Sequence, residues 1–339
     1  MTYEVNASPS GPVRRVGVIG TLVWDTIRGI PGKPELEDWG GIAYSLAALE
    51  GTLPKSWEVV PLLKVGSDFA EPALEYLESF TCLDVAAGVD IVHTPNNRVT
   101  LRYSSDGRRL EQLTGGVPGW TWAELRPHMP RLDALYVNFI SGFEMTLDDA
   151  RRLPQEFGGA TYADLHSLFL GVDTTGQRFL RPLPSGGGWA ECFDSVQMNE
   201  DEFSVFAGEV EDPWEWARHV VGGLPKAVVV TLGQDGAAAV VSSAARKDVA
   251  EWGAERGTPA GEFAEVLTVT AKPAIDGVDP TGCGDVWGAS FFGNLLKGED
   301  LIVSMECANQ MAKRNVNCQG SSALLSVLRD SSAAGEAAG

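Results

Sequence analysis

Short apolar runs alternate with amphipathic stretches along most of the chain. Residues 15–20 (RVGVIG) form an apolar run closed by glycine, which predicts a buried first strand of a parallel sheet. Residues 26–39 are irregular, with Gly and Pro punctuation at 30–34, and predict a loop or flap. Gly40 and Gly41 open a helical pattern through Glu50, which Gly51 ends. A second strand is predicted over 58–64 (EVVPLLK), where Pro61 argues against a central place in the sheet. A helix follows over 68–80, with Asp68 as its N-cap.

The stretch 89–113 has a different pattern. Runs at 98–103 and 108–113 flank Ser104-Ser105-Asp106-Gly107, a hairpin signal, and the stretch is too polar for a central strand. It is placed outside the main sheet. Strands are then predicted at 134–139, 160–164, 195–198, 227–232 and 237–242. Helices are predicted at 147–157, 201–207, 213–221, 285–297 and 301–317. Strands alternating with helices imply an α/β fold with a doubly wound, mostly parallel central sheet flanked by helices. Residues 246–262 read as a polar surface insertion, residues 1–12 as a loose lead-in, and the tail 331–339 as low-complexity and disordered. A single domain over 13–330 is expected, because no repeat or linker divides the chain.

Composition narrows the function. The chain has 339 residues, 26 Lys+Arg and 46 Asp+Glu, so 26 − 46 gives a net charge of −20. That charge argues against nucleic acid or an anionic membrane as partner, since either surface repels it. It leaves room for an anionic small ligand where backbone N–H groups offset the charge locally. No run approaches the roughly 18 apolar residues of a membrane span. The five cysteines (Cys82, Cys192, Cys283, Cys307, Cys318) show no CxxC spacing and the four histidines no HExxH. The reading is a reduced, cytoplasmic protein without zinc.

The densest chemistry lies at Asp279-Pro280-Thr281-Gly282-Cys283-Gly284-Asp285, which feeds directly into an amphipathic helix. Such a helix start presents unpaired N–H groups and the positive end of the dipole to an anion. Glycines let a phosphate approach the backbone. Asp285, in the first turn, is placed to take a proton from a hydroxyl attacking phosphorus. The plainer alternative is an ordinary helix N-terminus, capped by Thr281, with Asp285 matched to the dipole.

The pattern D-x-T-G-x-G-D before such a helix resembles the second signature of the ribokinase-like (PfkB) carbohydrate kinase family. The family's usual form is DTTGAGD, so Pro280 and Cys283 depart from it. Further landmarks follow in order. Gly20-Thr-Leu-Val-Trp-Asp25 resembles the first-strand exit, whose Asp binds substrate hydroxyls in the family. Gly40-Gly41 resembles the paired glycines of the substrate site, and Lys64-Val-Gly-Ser-Asp68 the vGxD step. Asn199-Glu-Asp-Glu202 resembles the N-x-x-E motif that helps place Mg²⁺ and phosphates. Thr231-Leu-Gly233-Gln-Asp-Gly236 resembles the nucleotide-site turn, and Asn309 lies in a helix like the one bordering adenine. Ser45 stands where ribokinases carry an Asn that contacts sugar.

The resemblance implies a ribokinase-like fold with a small β lid, built from approximately 26–39 and 89–113, through which two copies would pair as a homodimer. It implies ATP-dependent phosphorylation of a hydroxymethyl group on a sugar or sugar-like molecule, with Asp285 as general base. The N–H groups of Gly282, Cys283 and Gly284 would form the anion hole. Mg²⁺ would be held through water with Glu202 and Asn199 in its outer shell. Asp279 would lie near a monovalent-cation loop taking K⁺, or be an ordinary loop carboxylate. Arg98, Arg102, Arg108 and Arg109 cluster on the presumed lid, where they, and Arg102 in particular, would recognise a phosphorylated or acidic substrate; solvation and edge protection are the plainer reason for such charges. His166, after the 160–164 strand, would orient substrate or phosphate, or serve structurally. Trp24, Trp39 and Trp287 lie near the site for stacking on a ring.

Two enzyme alternatives fail on the residues. A nicotinamide dehydrogenase lacks the rest of GxGxxG after RVGVIG, and a Walker-type ATPase lacks GxxxxGK[ST]. A non-catalytic nucleotide- or sugar-binding protein on the same fold is the remaining alternative.

Overall fold

The computed structural model of the chain describes residues 12–29, 34–103, 109–221, 223–246, 248–254, 256, 264–272 and 280–338. The strands, in chain order, are β1 (Arg14–Ile19), β2 (Leu22–Arg28), β3 (Leu36–Gly41), β4 (Trp57–Gly66), β5 (Val89–Val92), β6 (Arg98–Tyr103), β7 (Arg109–Thr114), β8 (Ala134–Asn138), β9 (Ala160–Asp164), β10 (Leu170–Val172), β11 (Arg178–Leu180), β12 (Ser195–Asn199), β13 (Ala227–Thr231), β14 (Ala237–Ser242) and β15 (Ala264–Val269). The helices are α1 (Ile42–Thr52), α2 (Ala70–Glu78), α3 (Trp122–Leu125), α4 (Leu147–Ala150), α5 (Leu153–Glu156), α6 (Gly186–Ala190), α7 (Glu200–Ala207), α8 (Pro213–Val221), α9 (Cys283–Lys297), α10 (Leu301–Val316) and α11 (Ser321–Ala338).

Nine strands form the main sheet in the order β15-β14-β13-β12-β9-β8-β1-β4-β5. All neighbours are parallel except β13-β14 and β14-β15. From β1 the chain steps one way to β4 and β5, then returns to β8 on the other side of β1 and steps away to β13. Winding in both directions from one strand opens a crevice beyond the carboxyl ends of the strands. Asn138, Asp164, Asn199 and Thr231 are the last residues of β8, β9, β12 and β13 and line up along that edge.

The pleat divides the apolar residues between two cores. Val16 and Val18 of β1, and Val59, Leu63 and Val65 of β4, join α1 and α9 through Leu46, Leu49, Phe291 and Phe292. Ile19, Val60 and Leu62 face the other way, toward Leu153, Phe193, Phe203 and Val221. A second sheet, ordered β3-β2-β6-β7, lies outside the main one. Among the described residues no helix is long and apolar enough to cross a membrane.

Several expectations are corrected. β4 is an interior strand despite Pro61, which pairs in register with Val18. Val59 and Leu63, on the same side of the pleat, donate their N–H groups to Cys82 O and Gly88 O. Pro61 falls between them, where residues 85–87 form a short 3-10 turn away from the ladder, so its missing N–H costs no bond. Residues 89–92 belong to the main sheet as its edge strand, and their polarity reflects the edge position. Asp68 does not cap α2; its carboxylate accepts from Asn96 N at 2.7 Å and Arg98 at 2.8 Å, and Phe69 holds the cap position. Residues 26–39 include parts of strands β2 and β3. Residues 147–157 form two short helices, the second with Pro154 in its first turn. The 246–262 insertion buries Trp252 completely and places Arg256 against the buried Asp194. α11 runs through Ala338, into the segment whose composition reads as a disordered tail.

Candidate active site

The start of α9 is shaped by its glycines. Gly282 caps the helix at φ 75°, a left-handed conformation, and a Cβ there would run into the ring of Tyr44. The turn before it closes through Cys283 N donating to Pro280 O at 3.1 Å. One of the three N–H groups assigned to an anion hole is therefore used within the turn. Thr281 does not cap the helix. Its carbonyl accepts from Asn315 Nδ2 at 2.9 Å, and its hydroxyl lies 3.4 Å from Tyr103 OH on the lid strand β6.

Asp285 follows in the first turn of α9 and faces the sheet edge. Asn138 Nδ2 donates to its Oδ1 at 2.8 Å. The Asp285 carbonyl accepts from Ser45 Oγ at 3.3 Å. Across the register of β8 and β9, Asn138 is paired with Asp164. Asp164 is buried, and its carboxylate accepts from Gln197 Nε2 at 2.8 Å and from His166 N at 3.1 Å. Burial first, and then the charge of Asp285, push the Asp164 carboxyl up to about 8. Gln197 Nε2 also donates to Gly284 O at 3.0 Å, which ties β12 to the start of α9.

His166 Nδ1 is paired with Glu202 Oε1. Burial alone would lower the imidazole, but the Glu202 carboxylate outweighs it and raises the ring to about 9. Asn199 and Glu202 form a capping box on α7. Asn199 Oδ1 accepts from Glu202 N and Glu202 Oε2 accepts from Asn199 N, both at 2.9 Å. The N-x-x-E motif is thus a helix start whose Glu also holds a histidine.

These residues line one cavity of about 570 Å³. Its walls include Asp164, His166, Gln197, Asn199 and Glu202 on one side and Gly282, Cys283, Gly284 and Asp285 on another. Thr231, Gly233 and Gly236 extend it, as do Trp287 and Asn309. Gly236 adopts φ 106°, which suits glycine. Asn309 borders the cavity, but its amide is engaged: Oδ1 accepts from Trp287 Nε1 at 2.7 Å and Nδ2 donates to Val269 O at 3.3 Å. Trp287 stacks on Phe291.

Of the residues expected at an acceptor, His166 lines this cavity, Ser45 adjoins it through Asp285, and Asp25, Gly40, Gly41 and Arg102 lie outside its lining. Gly40 lies against the buried Asp25, and Gly41 caps α1 at φ 59°. Ser45 is on α1 but fully buried, where its Oγ accepts from Asn138 Nδ2 at 3.1 Å. It meets the interior of the site, not its opening. Trp24 and Trp39 pack edge to face within the lid cluster with Phe69, so they are spent on packing. Arg102 is exposed on β6, and Arg98 is paired with Asp68. Arg108 and Asp279 lie outside the described residues.

Asn138, Asp164 and Gln197 were missed as site residues by sequence reasoning. Their signal is positional: polar residues at or near the carboxyl end of an apolar strand in a doubly wound pattern.

Residues 182–327 match the pfkB family carbohydrate kinase model. No curated protein matches the chain by sequence. By structure the chain is similar to ribokinase from Thermotoga maritima, at 15% identity over 94% of this chain and 99% of that one, with a TM-score of 0.67. It is also similar to adenosine kinase from Sinorhizobium meliloti, at 17% identity over 95% and 100%, TM-score 0.65. A third similar structure is ribokinase from Cryptococcus neoformans var. grubii in complex with ADP, at 17% identity over 94% and 99%, TM-score 0.63. The fold is ribokinase-like, and both the family resemblance and the fold class read from the sequence are borne out.

Proposed function

We propose that this chain, with its ribokinase-like fold and its pfkB family match over residues 182–327, is an ATP-dependent phosphotransferase acting on a hydroxymethyl group of a sugar or sugar-like molecule. The observation that carries the reading is the place of Asp285. Its residue lines a cavity shared by the glycine turn of α9 and the Thr231–Gly236 turn, and its carboxylate is held by Asn138.

In this reading Asp25 and the backbone at Gly40 and Gly41 orient the acceptor. Asp285 takes the hydroxyl proton as the acceptor oxygen bonds to the terminal phosphorus of ATP, and the bond to the bridging oxygen breaks to release ADP. The start of α9, with its dipole and the N–H groups of Gly282 and Gly284, faces the charge on the transferred group. Asp164 would repel that group if ionised. With its carboxyl at about 8 it stays protonated at neutral pH, and His166 offsets the charge of Glu202.

Among the described residues Mg²⁺ finds no cage of protein ligands. No group of three or more His, Cys, Asp or Glu able to hold a metal occurs among the described residues. Both Glu202 oxygens are engaged, by Asn199 N and by His166. No step of the mechanism is routed through the ion. The homodimer through the lid, K⁺ near Asp279 and the cytoplasmic location stand as parts of the same proposal.

The test is ADP release with ATP, Mg²⁺ and a panel of pentoses, hexoses, sugar acids, nucleosides and sugar phosphates. Asp285→Asn is expected to lower turnover about 10²–10⁴-fold while ATP still raises the melting temperature. Near-wild-type turnover in that variant refutes the assignment. Stabilisation by nucleotide without transfer to any acceptor establishes a binding protein instead.

A further inference from the structure

Asn138 ends β8 with its side chain fully buried. Its Nδ2 donates to two oxygens, Asp285 Oδ1 at 2.8 Å and Ser45 Oγ at 3.1 Å. Its Oδ1 is buried with no hydrogen-bond partner among the described residues. A buried unpartnered carbonyl carries a desolvation penalty that an apolar residue at this strand end would not have. What only the amide supplies is a pair of N–H donors aimed at a carboxylate and a hydroxyl. The opposite amide orientation would set Oδ1 against the carboxylate, acceptor to acceptor, so the surroundings choose this one.

Ser45 completes the arrangement. Its Oγ accepts from Asn138 and donates to the Asp285 carbonyl at 3.3 Å, so α1 and β8 grip the same residue of α9. We propose that Asn138, supported by Ser45, is a positioning residue that fixes the rotation of the Asp285 carboxylate and keeps it ionised beside Asp164. This rests on the reading of Asp285 as the base. Position 45 then serves the base from inside, which accounts for a serine where a sugar-contacting asparagine stands in the resembling family.

Among the described residues, the titratable groups around Asp285 are Tyr44 on α1, whose ring lies against Gly282, Tyr136 on β8, Asp164 at the end of β9, His166 after it, Glu202 on α7, Cys283 on α9 itself and Lys313 on α10. Ionisation of Asp164 would oppose that of Asp285, and a charge-assisted hydrogen bond to Asp285 favours its charged form.

The experiment follows the Asp285 side-chain carboxyl by ¹³C NMR titration in the full chain, for wild type, Asn138→Ala and Ser45→Ala, with circular dichroism to check folding. In N138A the titration midpoint is expected to rise by about one pH unit, and in S45A by a smaller step in the same direction. With the acceptor found in the screen, kcat of N138A is expected to fall roughly tenfold to hundredfold. The acid limb of the kcat profile should rise with the midpoint, and KM for ATP should hold. An unmoved midpoint in N138A, or a loss of kcat with the acid limb in place, overturns the proposal. Should N138A fail to fold, S45A decides by the same midpoint. If the wild type transfers phosphate to no acceptor, the base reading falls alone, because the NMR midpoint still reports whether Asn138 holds the carboxylate ionised.

Discussion

A Cβ on Gly40 would overlap the carboxylate of Asp25 across the antiparallel ladder of β2 and β3. The absent side chain is the space that the Asp25 carboxyl occupies, and Asp25 is only 5% exposed there. Gly40→Ala is therefore expected to turn Asp25 out of its place and to strain the strand pair by about 1–3 kcal/mol. If Asp25 orients the acceptor, KM for the acceptor rises about tenfold or more while stabilisation by ATP is unchanged. A G40A variant with wild-type acceptor KM would separate Asp25 from acceptor binding.

The pair of His166 and Glu202 sets a pH dependence of stability. The imidazole rises from 6.5 to about 9 on folding, so the native state holds its proton over a range where the unfolded chain has lost it. That contribution is complete below pH 6.5 and is lost as pH rises through 9. Asp164 adds a decline of the same sign between its unfolded value of 3.8 and about 8. His166→Gln is expected to flatten the fall in melting temperature between pH 6.5 and 9, read by calorimetry at several pH values. An unchanged slope there would remove the ion pair from the account.

The architecture was legible because it repeats. Apolar runs such as ALYV and SVQM, each followed by a helical pattern, place parallel strands without reference to distant contacts. The boundaries that failed depend on partners elsewhere in the chain. Pro61 is tolerated because the neighbouring segment leaves the ladder where its N–H would have been needed. Residues 89–92 join the sheet because Leu63–Gly66 offers an unpaired side. At the site, the glycines and Asp285 announce themselves through a local turn-to-helix signal. Asn138, Asp164 and Gln197 are marked only by their places near strand ends; Asn138 meets Asp285, Gln197 meets Gly284 and Asp164 meets Gln197 only once strands far apart in sequence lie side by side.

The same long-range logic places Arg256 in the interior. Its guanidinium is paired with Asp194, which is fully buried and also bonded by Lys226 Nζ at 3.0 Å. Burial alone would raise the Asp194 carboxyl, but Arg256 and Lys226 hold it below the usual carboxylate range. Arg256→Ala leaves a buried carboxylate one cation short and is expected to cost about 3–5 kcal/mol in urea unfolding. The Asp194 pairing stabilises above its unfolded pKa and is lost as pH falls through the lowered folded value. R256A should therefore show a shallower acid decline than wild type; equal stability in both would mean that the insertion is held by Trp252 alone.

Arg178 joins three parts of the chain that the lid depends on. From β11 it donates to Ile140 O and Ser141 O, just past β8, and to Glu111 Oε1 on the lid strand β7, each at 3.0 Å. Its side chain is 2% exposed, so these bonds form out of water, where charged donors are worth about 1.5–3 kcal/mol. Gln112 Nε2 adds a bond to Thr175 O at 2.7 Å between the same two hairpins. The lid sheet is thereby fastened to the turn beyond Asn138 through a single guanidinium. Arg178→Met keeps the bulk and removes the donors. It is expected to speed hydrogen exchange at residues 109–114 roughly tenfold to hundredfold while the amides of α9 keep their protection. It should also raise acceptor KM more than ATP KM, since the Asp25 and Gly40 side of the site belongs to the lid and the Thr231–Gly236 side does not. Wild-type protection at 109–114 in R178M would show that the β6–β7 pairing, with Gln112 on Thr175 O and Leu113 N on Gly176 O, holds the lid strand without Arg178.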